Sequence, residues 1–198
     1  MKRVAASAVA LLLCSPAVAV EKGAYVGLSV ISTEVDIAAD DFNDGSFVAA
    51  ADDNTATGFK LRGGYNFNPY VGVELDWIDG SEVSFDAVSD GTVIYPPGPL
   101  AIDLELSGIS AGLNGYLPFG ETVHGIGRVG FFRWNTDISV DTAFFSASDS
   151  ADDTDMFFGL GVGVEAGPLV IEVGWSRYAL DDVDADTLDV GLLYTPGK

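Results

Sequence analysis

The chain has 198 residues, which is room for one domain once any leader is removed. Its 30 Asp and Glu against 9 Lys and Arg give a formal net charge of −21, which argues against nucleic acid as a ligand, because phosphates require cations. Nearly half of the residues (48%) are hydrophobic, so the chain does not have the composition of a disordered protein. Acidic and apolar residues must therefore be segregated along the sequence.

The first 19 residues have the pattern of a secretory signal peptide. Two basic residues open the chain, an apolar segment follows over residues 4–14, and Ala17 and Ala19 form a typical cleavage site. The apolar segment is too short to span a membrane as a helix. We therefore expect residues 1–19 to be removed on export, leaving a domain over residues 20–198. Leu13 precedes Cys14, which argues against lipidation, and the domain itself then contains no cysteine.

After this segment, apolar residues alternate with polar ones at period two, interrupted by Gly, Pro, Asn and Asp. This pattern predicts β-strands, and no window of about 18 apolar residues predicts a transmembrane helix. Most of the strands have the roughly 9–11 residues that a tilted strand needs to cross a bilayer. The alternation predicts eight strands, at 24–34, 58–67, 70–78, 103–117, 123–138, 155–166, 169–178 and 187–195.

The fourth predicted strand changes its apolar parity part of the way along. Leu104 and Leu106 are even-numbered, whereas the apolar positions from Ile109 onward are odd-numbered. One extra residue in a strand moves the following side chains to the opposite face. We therefore expect a β-bulge near Ser107 and Gly108.

The connections between these strands alternate in length. The short ones are turns at 66–70, 117–123 and 167–169, whereas the long ones hold most of the acidic residues. Short turns at one end and long loops at the other are typical of outer-membrane β-barrels, in which the short turns are periplasmic. The predicted long loops cover 36–57, 79–102, 139–154 and, at shorter length, 179–186.

The composition of the two faces favours a transmembrane barrel over a soluble periplasmic barrel. The polar face is rich in glycine and small residues, which suit a narrow eight-stranded interior, whereas a water-facing sheet favours Thr, Lys and Glu. Aromatic residues lie near both ends of the apolar face, as expected where a membrane meets water. These interface residues are Tyr65, Phe67 and Tyr194 at the short-turn end and Trp77 and Trp175 at the long-loop end.

Charged residues on the polar face of the second and third strands predict ion pairs inside the barrel. Mirror pairing around the turn at Asn68 sets Arg62 opposite Glu74 and Lys60 opposite Asp76. Pairs of opposite charge are what a closed interior of low dielectric constant requires.

Across the turn at 167–169, the same pairing sets Glu165 opposite Glu172, and Arg128 is the candidate cation between them. We expect either a structural plug of the lumen or, as the alternative, a salt-bridge gate over a narrow ion path. The predicted lumen network consists of Lys60, Arg62, Glu74, Asp76, Arg128, Glu165 and Glu172.

Two outward-facing arginines near the long-loop ends, Arg133 and Arg177, are candidates for contact with lipopolysaccharide phosphates. Ordinary interfacial snorkelling explains them equally well. The one histidine, His124, lies beside a short turn with inward parity and has no evident Ser or Asp partner for catalysis. Acidic runs such as residues 182–186 lack a complete calcium motif. We expect no enzyme activity, no catalytic residues, no metal and no cofactor.

Three segments carry a resemblance to a known family. Residues 58–77 (GFKLRGGYNFNPYVGVELDW), 115–121 (GYLPFGE) and 190–194 (VGLLY) resemble strands and a turn of the OmpA-like eight-stranded outer-membrane β-barrel family. The resemblance covers the barrel and not the peptidoglycan-binding domain that some members carry at the C-terminus. Residues 195–198, which include Pro196, Gly197 and Lys198, follow Tyr194, whereas the family often ends on an aromatic residue that the barrel-assembly machinery recognises.

The resemblance implies a monomeric all-β transmembrane barrel in the outer membrane. Its partners would be lipid and lipopolysaccharide, with periplasmic chaperones and the barrel-assembly machinery during biogenesis. The leading function is a structural role in envelope integrity or surface interaction, and the first alternative is a narrow porin-like channel for ions or small solutes. The second alternative is an adhesin that acts through apolar residues of the long loops, namely Phe42, Phe47, Val48, Phe144 and Phe145.

Overall fold

A computed structural model describes residues 20–35, 47–50, 55–89, 97–142, 146–180 and 183–196. The predicted signal peptide, and Phe42, Phe144 and Phe145, lie outside these ranges. No helix in the described part of the chain is long and apolar enough to cross a membrane. The described strands are β1 (Gly23–Val35), β2 (Phe47–Ala50), β3 (Thr55–Asn68), β4 (Val71–Ser89), β5 (Gly98–Pro118), β6 (Val123–Thr142), β7 (Ser146–Ala166), β8 (Leu169–Leu180) and β9 (Val183–Tyr194).

Eight of these strands form one closed antiparallel barrel. The order around the barrel is β4-β3-β1-β9-β8-β7-β6-β5, and pairing between β4 and β5 closes the ring. The first and last strands lie side by side, with Val26 opposite Tyr194. Each of the eight predicted strands overlaps one of these eight, so the prediction of an eight-stranded barrel is confirmed. The short strand β2 adds to the free side of β4 at the long-loop end, with Phe47 opposite Ser89.

The barrel is apolar outside and polar inside, which is the reverse of a soluble barrel. On the outer face, Leu160 and Val190 keep 64% and 57% of their surface exposed, whereas inward-facing Asp189 keeps 1%. Exposed aliphatic and aromatic side chains form a belt around the strands. Such a belt is stable against lipid and not against water, so the alternative of a soluble periplasmic barrel is wrong.

The strands continue well beyond the belt at the long-loop end. β4 and β5 stay paired up to Ser89 and Gly98, and β6 and β7 stay paired up to Asp141 and Ser146. Most of the second and third predicted long loops is therefore β-hairpin, and the prediction of loops there is wrong. Apolar residues still alternate beyond the predicted strand ends, at Val83 and Phe85 of β4 and over residues 100–106 of β5, and backbone hydrogen bonds continue the ladder there.

The predicted bulge at Ser107 and Gly108 is also wrong in its position. β5 pairs with β6 without interruption, whereas Asp79 and Gly80 of β4 together oppose Ser107. The one extra residue therefore lies in β4. Leu106 is half-buried and has inward parity. The change in pattern on β5 therefore reflects a lumen that contains apolar side chains at the long-loop end.

The lumen is layered along the barrel axis. At the long-loop end, Phe132 and Tyr178 are buried with ring centroids 4.7 Å apart, in a cluster that also includes Ile31 and Phe157. At the short-turn end, a second buried cluster contains Tyr25. Charged residues occupy the level between the two clusters, so apolar groups separate them from both mouths of the barrel.

Glycine allows two strands to approach closely beneath one of the buried rings. Gly112 of β5 and Gly130 of β6 are paired, and the ring of Phe157 lies against both of them. A Cβ atom at Gly130 would overlap the backbone of Ala111 and Gly112. The backbone of β5 cannot move away without opening the barrel, so this position requires glycine.

We expect Gly130→Ala to destabilise the barrel by about 1–3 kcal/mol, because the added methyl group overpacks against backbone. Urea unfolding in lipid vesicles, followed by tryptophan fluorescence, measures the change. Gly63→Ala on β3 is the matched control, because a Cβ atom there meets nothing within 4 Å, and its change should stay within about 0.5 kcal/mol. Equal stability of the two variants would contradict the close approach at Gly130.

Candidate functional site

Arg62 is the centre of the charged layer in the lumen. Its side chain is fully buried and donates hydrogen bonds from Nη2 to both oxygens of Glu74, at 2.8 and 2.9 Å, and from Nη1 to Oε1 of Glu172, at 2.5 Å. Its Nε lies 3.6 Å from Oδ1 of Asp76, and Nη1 lies 3.7 Å from Oδ2 of Asp189. One guanidinium group from β3 therefore lies among carboxylates from β4, β8 and β9.

Arg128 of β6 binds the same two glutamates from the other side. Its Nε lies 3.2 Å from Oε1 of Glu74, and its Nη2 donates to Glu172. Two guanidinium groups repel each other, but two shared carboxylates between them offset the repulsion. The four side chains thus join β3, β4, β6 and β8 in one network.

Glycine makes the space that Arg128 occupies. A Cβ atom at Gly161 of β7 would lie 3.4 Å from Nη1 of Arg128, and one at Gly174 of β8 would lie 3.2 Å from the same atom. A larger residue at Gly174 would also crowd Asp189. These inward glycines therefore set the room available to the arginine side chain.

Lys60 and Asp189 extend the network toward the long-loop end. Lys60 Nζ lies 3.8 Å from Oδ1 of Asp189, and both side chains are buried. Within the described part of the chain, neither oxygen of Asp189 accepts a hydrogen bond, and the same holds for Oδ1 of Asp76. The charged layer so described has three cations (Lys60, Arg62, Arg128) and four carboxylates.

Neutral side chains satisfy part of the remaining polarity. Tyr25 donates a hydrogen bond of 2.7 Å to Oε2 of Glu74, and Asn114 donates one of 3.1 Å to the Tyr25 hydroxyl. Ser110 donates to Oδ2 of Asp76 at 3.1 Å. Buried ions are stabilised when such donors occupy their free lone pairs. Among the described residues, side chains from β1, β3, β4, β5, β6, β8 and β9 meet in this layer.

The strand register differs from mirror pairing around Asn68. Arg62 lies opposite Asp76, and Glu74 lies opposite Gly64, because the turn lies at Pro69 and Tyr70 rather than at Asn68. Arg62 still reaches Glu74 diagonally, since its side chain is long. Lys60 lies opposite Ile78, so the predicted pairing of Lys60 with Asp76 across the strands is wrong.

Glu165 lies away from the charged layer. It pairs across the strands with Val170, and Glu172 lies opposite Gly163, so the predicted facing of Glu165 and Glu172 is wrong. Oε1 of Glu165 lies 3.7 Å from Nδ1 of His124 near the short-turn mouth. His124 is buried, and its ring meets Tyr116 edge-on with centroids 5.7 Å apart.

Sequence reasoning missed Asp189 and Tyr25. Asp189 alternates with the apolar residues of the last strand, so its inward parity was a usable signal. Tyr25 carried a weaker signal, because an aromatic residue on the inner face of a barrel is read as packing. Its hydroxyl group nevertheless binds Glu74.

The interface aromatics lie on the outer face as their parity predicts. Tyr65, Phe67, Trp77 and Tyr194 are exposed, and Trp175 is half-buried against Phe158. Further aromatics from the turns, which strand parity could not identify, add to the short-turn end, namely Tyr70 and Phe119.

The two outward arginines have different surroundings. Arg133 is 71% exposed, with Nη2 at 3.4 Å from Oδ2 of Asp152. Arg177 is 38% exposed and donates from Nε and Nη2 to Asp186, at 2.8 and 2.5 Å, while its guanidinium carbon lies 5.8 Å from the ring centre of Trp175. These hydrogen bonds lower the pKa of Asp186, which lies beyond the apolar belt. Arg177 is therefore largely neutralised, and Arg133 is the more accessible cation.

Comparisons with known proteins identify the architecture. A family model described as "Outer membrane protein beta-barrel domain" matches residues 5–195. The fold is similar to that of Ail, the attachment invasion locus protein of Yersinia pestis, with a TM-score of 0.55 and 18% identity over 88% of this chain and 99% of that one. No curated protein matches the sequence.

Two further solved structures are similar. OprG from Pseudomonas aeruginosa aligns with a TM-score of 0.57 and 15% identity over 89% of this chain and 97% of that one. Neisserial surface protein A aligns with a TM-score of 0.52 and 16% identity over 87% of this chain and 97% of that one. At such identities the structures establish the fold alone.

We expect Arg62→Met to destabilise the barrel by about 3–5 kcal/mol, because it leaves buried carboxylates without their cation. Combining it with Glu172→Gln should recover part of the loss, since one uncompensated charge is then removed. Urea unfolding in vesicles measures both variants.

Arg133→Gln serves as the control for loss of a guanidinium group. Its pair with Asp152 is exposed, so the change should be about 1 kcal/mol or less. If Arg62→Met cost no more than Arg133→Gln, the charged layer would not be a source of stability.

Proposed function

The chain belongs to the outer membrane protein beta-barrel domain family, and from this premise we propose that it is a structural barrel of the outer membrane whose lumen is closed by the charged layer. In this proposal the barrel contributes to envelope integrity, and the hairpins beyond the belt contact other molecules at the cell surface. It needs no catalytic residue, metal or cofactor.

The observation that carries the proposal is the burial of both lumen arginines. The side chains of Arg62 and Arg128 are 0% and 3% accessible, and both bind Glu74 and Glu172. Ions lining an open aqueous pore would stay hydrated, whereas these are paired with each other across the lumen. Apolar clusters above and below them further exclude water. An interior of this kind favours a closed structural barrel over an ion channel.

The outer face supports a position in lipid. Tyr65, Phe67 and Tyr194 would lie at the periplasmic boundary of the bilayer, and Trp77 and Trp175 at the outer boundary. The proposal includes export through a cleaved signal peptide over residues 1–19, followed by delivery by periplasmic chaperones and insertion by the barrel-assembly machinery. The barrel would act as a monomer.

The hairpins beyond the belt support a surface-interaction role. The β4–β5 and β6–β7 pairs extend past the aromatic residues and carry many of the acidic side chains of the chain. Residues 47–50 widen this sheet through β2, which includes Phe47 and Val48. A hydrogen-bonded sheet presents a binding surface at a lower entropic cost than an unpaired loop does, which also suits the alternative of an adhesin.

A narrow cation channel is the second candidate function. The excess of one carboxylate in the charged layer, with the oxygens of Asp189 and one oxygen of Asp76 accepting no hydrogen bond among the described residues, favours a weak cation path. In this alternative Arg128 would act as a gate, because it crosses the lumen between Glu74 and Glu172.

Conductance in planar bilayers distinguishes the plug from the gate. We expect the wild-type barrel to pass no current above the bare bilayer, and Arg128→Ala to remain closed, because Arg62 and the apolar clusters still fill the lumen. Heat-modifiable migration on gels confirms that each barrel is folded. A steady wild-type current, or current that appears only in Arg128→Ala, would favour the channel.

We also propose that Arg133 contacts lipopolysaccharide phosphates, with Arg177 contributing less because Asp186 already binds it. Arg133→Gln should reduce the lipopolysaccharide that co-purifies with the barrel, whereas Arg177→Gln should have a smaller effect. Phosphate analysis of the purified protein measures both. An unchanged amount in the double variant would rule out this contact.

A further inference from the structure

The lipid-facing belt is interrupted by a groove near the short-turn end. It has a volume of about 460 Å³ and lies on the outer face of β5, β6 and β7. Leu117, Phe119 and Leu160 are among the exposed side chains that form its walls. This volume is within the range of roughly 300–1,000 Å³ found for small-molecule clefts.

Three outward-facing glycines form the floor of the groove. Gly115 of β5 lies opposite Gly127 of β6, and the next outward pair along the ladder is Leu117 with Gly125. Glycine has no side chain, so the surface here is lower by one side chain than the belt around it. The ring of Phe119 leans over Gly125, with Cε2 at 2.9 Å from the position of a Cβ atom, and closes the groove toward the turn.

The floor is open space rather than a packed contact. A Cβ atom at Gly127 would meet nothing within 4 Å, and one at Gly115 would meet only a backbone oxygen, at 3.9 Å. The strands therefore do not require glycine here for close packing, in contrast to Gly130 inside the barrel. An empty notch forfeits the dispersion contacts of its walls, so a ligand that fills it is favoured.

We propose that this groove binds one acyl chain of a phospholipid from the periplasmic leaflet. The groove is continuous with the apolar belt that contacts lipid, and it lies at the short-turn end, which faces the periplasm in this family. An acyl chain is narrow, apolar and flexible enough to lie between Leu117 and Leu160 over the glycine floor. Tyr70 borders the groove at the turn, where a headgroup would leave the belt.

A second copy of this chain fits the groove less well. A two-fold symmetric dimer brings the same patch of each protomer together, and two concave surfaces would then enclose a void. The convex occupant that the surroundings supply is the lipid itself.

Filling the floor tests the proposal without disturbing the barrel wall. Gly127→Leu and Gly115→Leu each project a side chain into the groove, from different strands. Gly63→Leu is the matched control, because Gly63 is also a lipid-facing glycine with nothing within 4 Å of its Cβ position, and it is not among the groove residues. Each variant is first checked for folding by heat-modifiable migration.

Native mass spectrometry of barrels released from nanodiscs of phosphatidylethanolamine and phosphatidylglycerol then counts retained phospholipids. The wild type and Gly63→Leu should retain one phospholipid. In Gly127→Leu and Gly115→Leu the fraction of barrels that retain a phospholipid should fall by roughly tenfold or more, because the new side chain displaces several buried methylene groups. If one groove variant fails to fold, the other carries the comparison alone.

Equal retention by wild type and the folded groove variants would overturn the proposal, as would an equal loss in Gly63→Leu. Chemical cross-linking of the same nanodisc samples tests the alternative occupant. Wild-type dimers that disappear in Gly127→Leu would show that the groove is a protein interface and would also overturn the proposal.

Discussion

The buried guanidinium group of Arg62 is the constraint on which the rest of the interior depends. An arginine does not lose its charge in a protein, and burial costs several kcal/mol unless the group is paired. Arg62 obtains its partners Glu74 and Glu172 from β4 and β8, and these glutamates in turn bind Arg128 from β6. Because Glu172 lies 110 residues from Arg62 in the sequence, the charges are all satisfied only when the barrel has closed. The ion pairs of the lumen therefore form only together with the closed barrel.

The layering of the lumen strengthens this coupling. Apolar side chains above the charges, such as Phe132 and Tyr178, and below them, such as Val170 and Leu193, keep water from both sides of the ion pairs. Exclusion of water raises the strength of each pair and also the penalty for breaking it. An interior of this kind opposes opening of the lumen, so the parts of the barrel exposed to other molecules are its outer face and the hairpins outside the lipid.

The sequence predicted correctly which face of a strand a residue lies on, but it did not predict which residue of the neighbouring strand lies opposite. Parity alone identified Arg62, Glu74, Arg128 and Glu172 as inward-facing. It did not give the register, because the turn lies at Pro69 and Tyr70 rather than at Asn68, and this displaces every pair that follows. It also did not give the strand ends, because the acidic and small polar residues over 79–89 are typical of a loop, whereas the backbone of this segment stays paired with β5.

Glycine shows why parity is insufficient for a site. Gly161 and Gly174 face inward and leave room for Arg128. Gly130 also faces inward, but it allows two strand backbones to approach closely. Gly115 and Gly127 face outward and leave a notch in the belt. The sequence contains the same letter at all five positions. What distinguishes them is what a Cβ atom would contact. At the inward positions it would contact atoms of another strand, whereas at the outward positions it would project into open space outside the barrel. An outward notch can be filled only by what surrounds the barrel, so the lipid has to be counted as part of its packing.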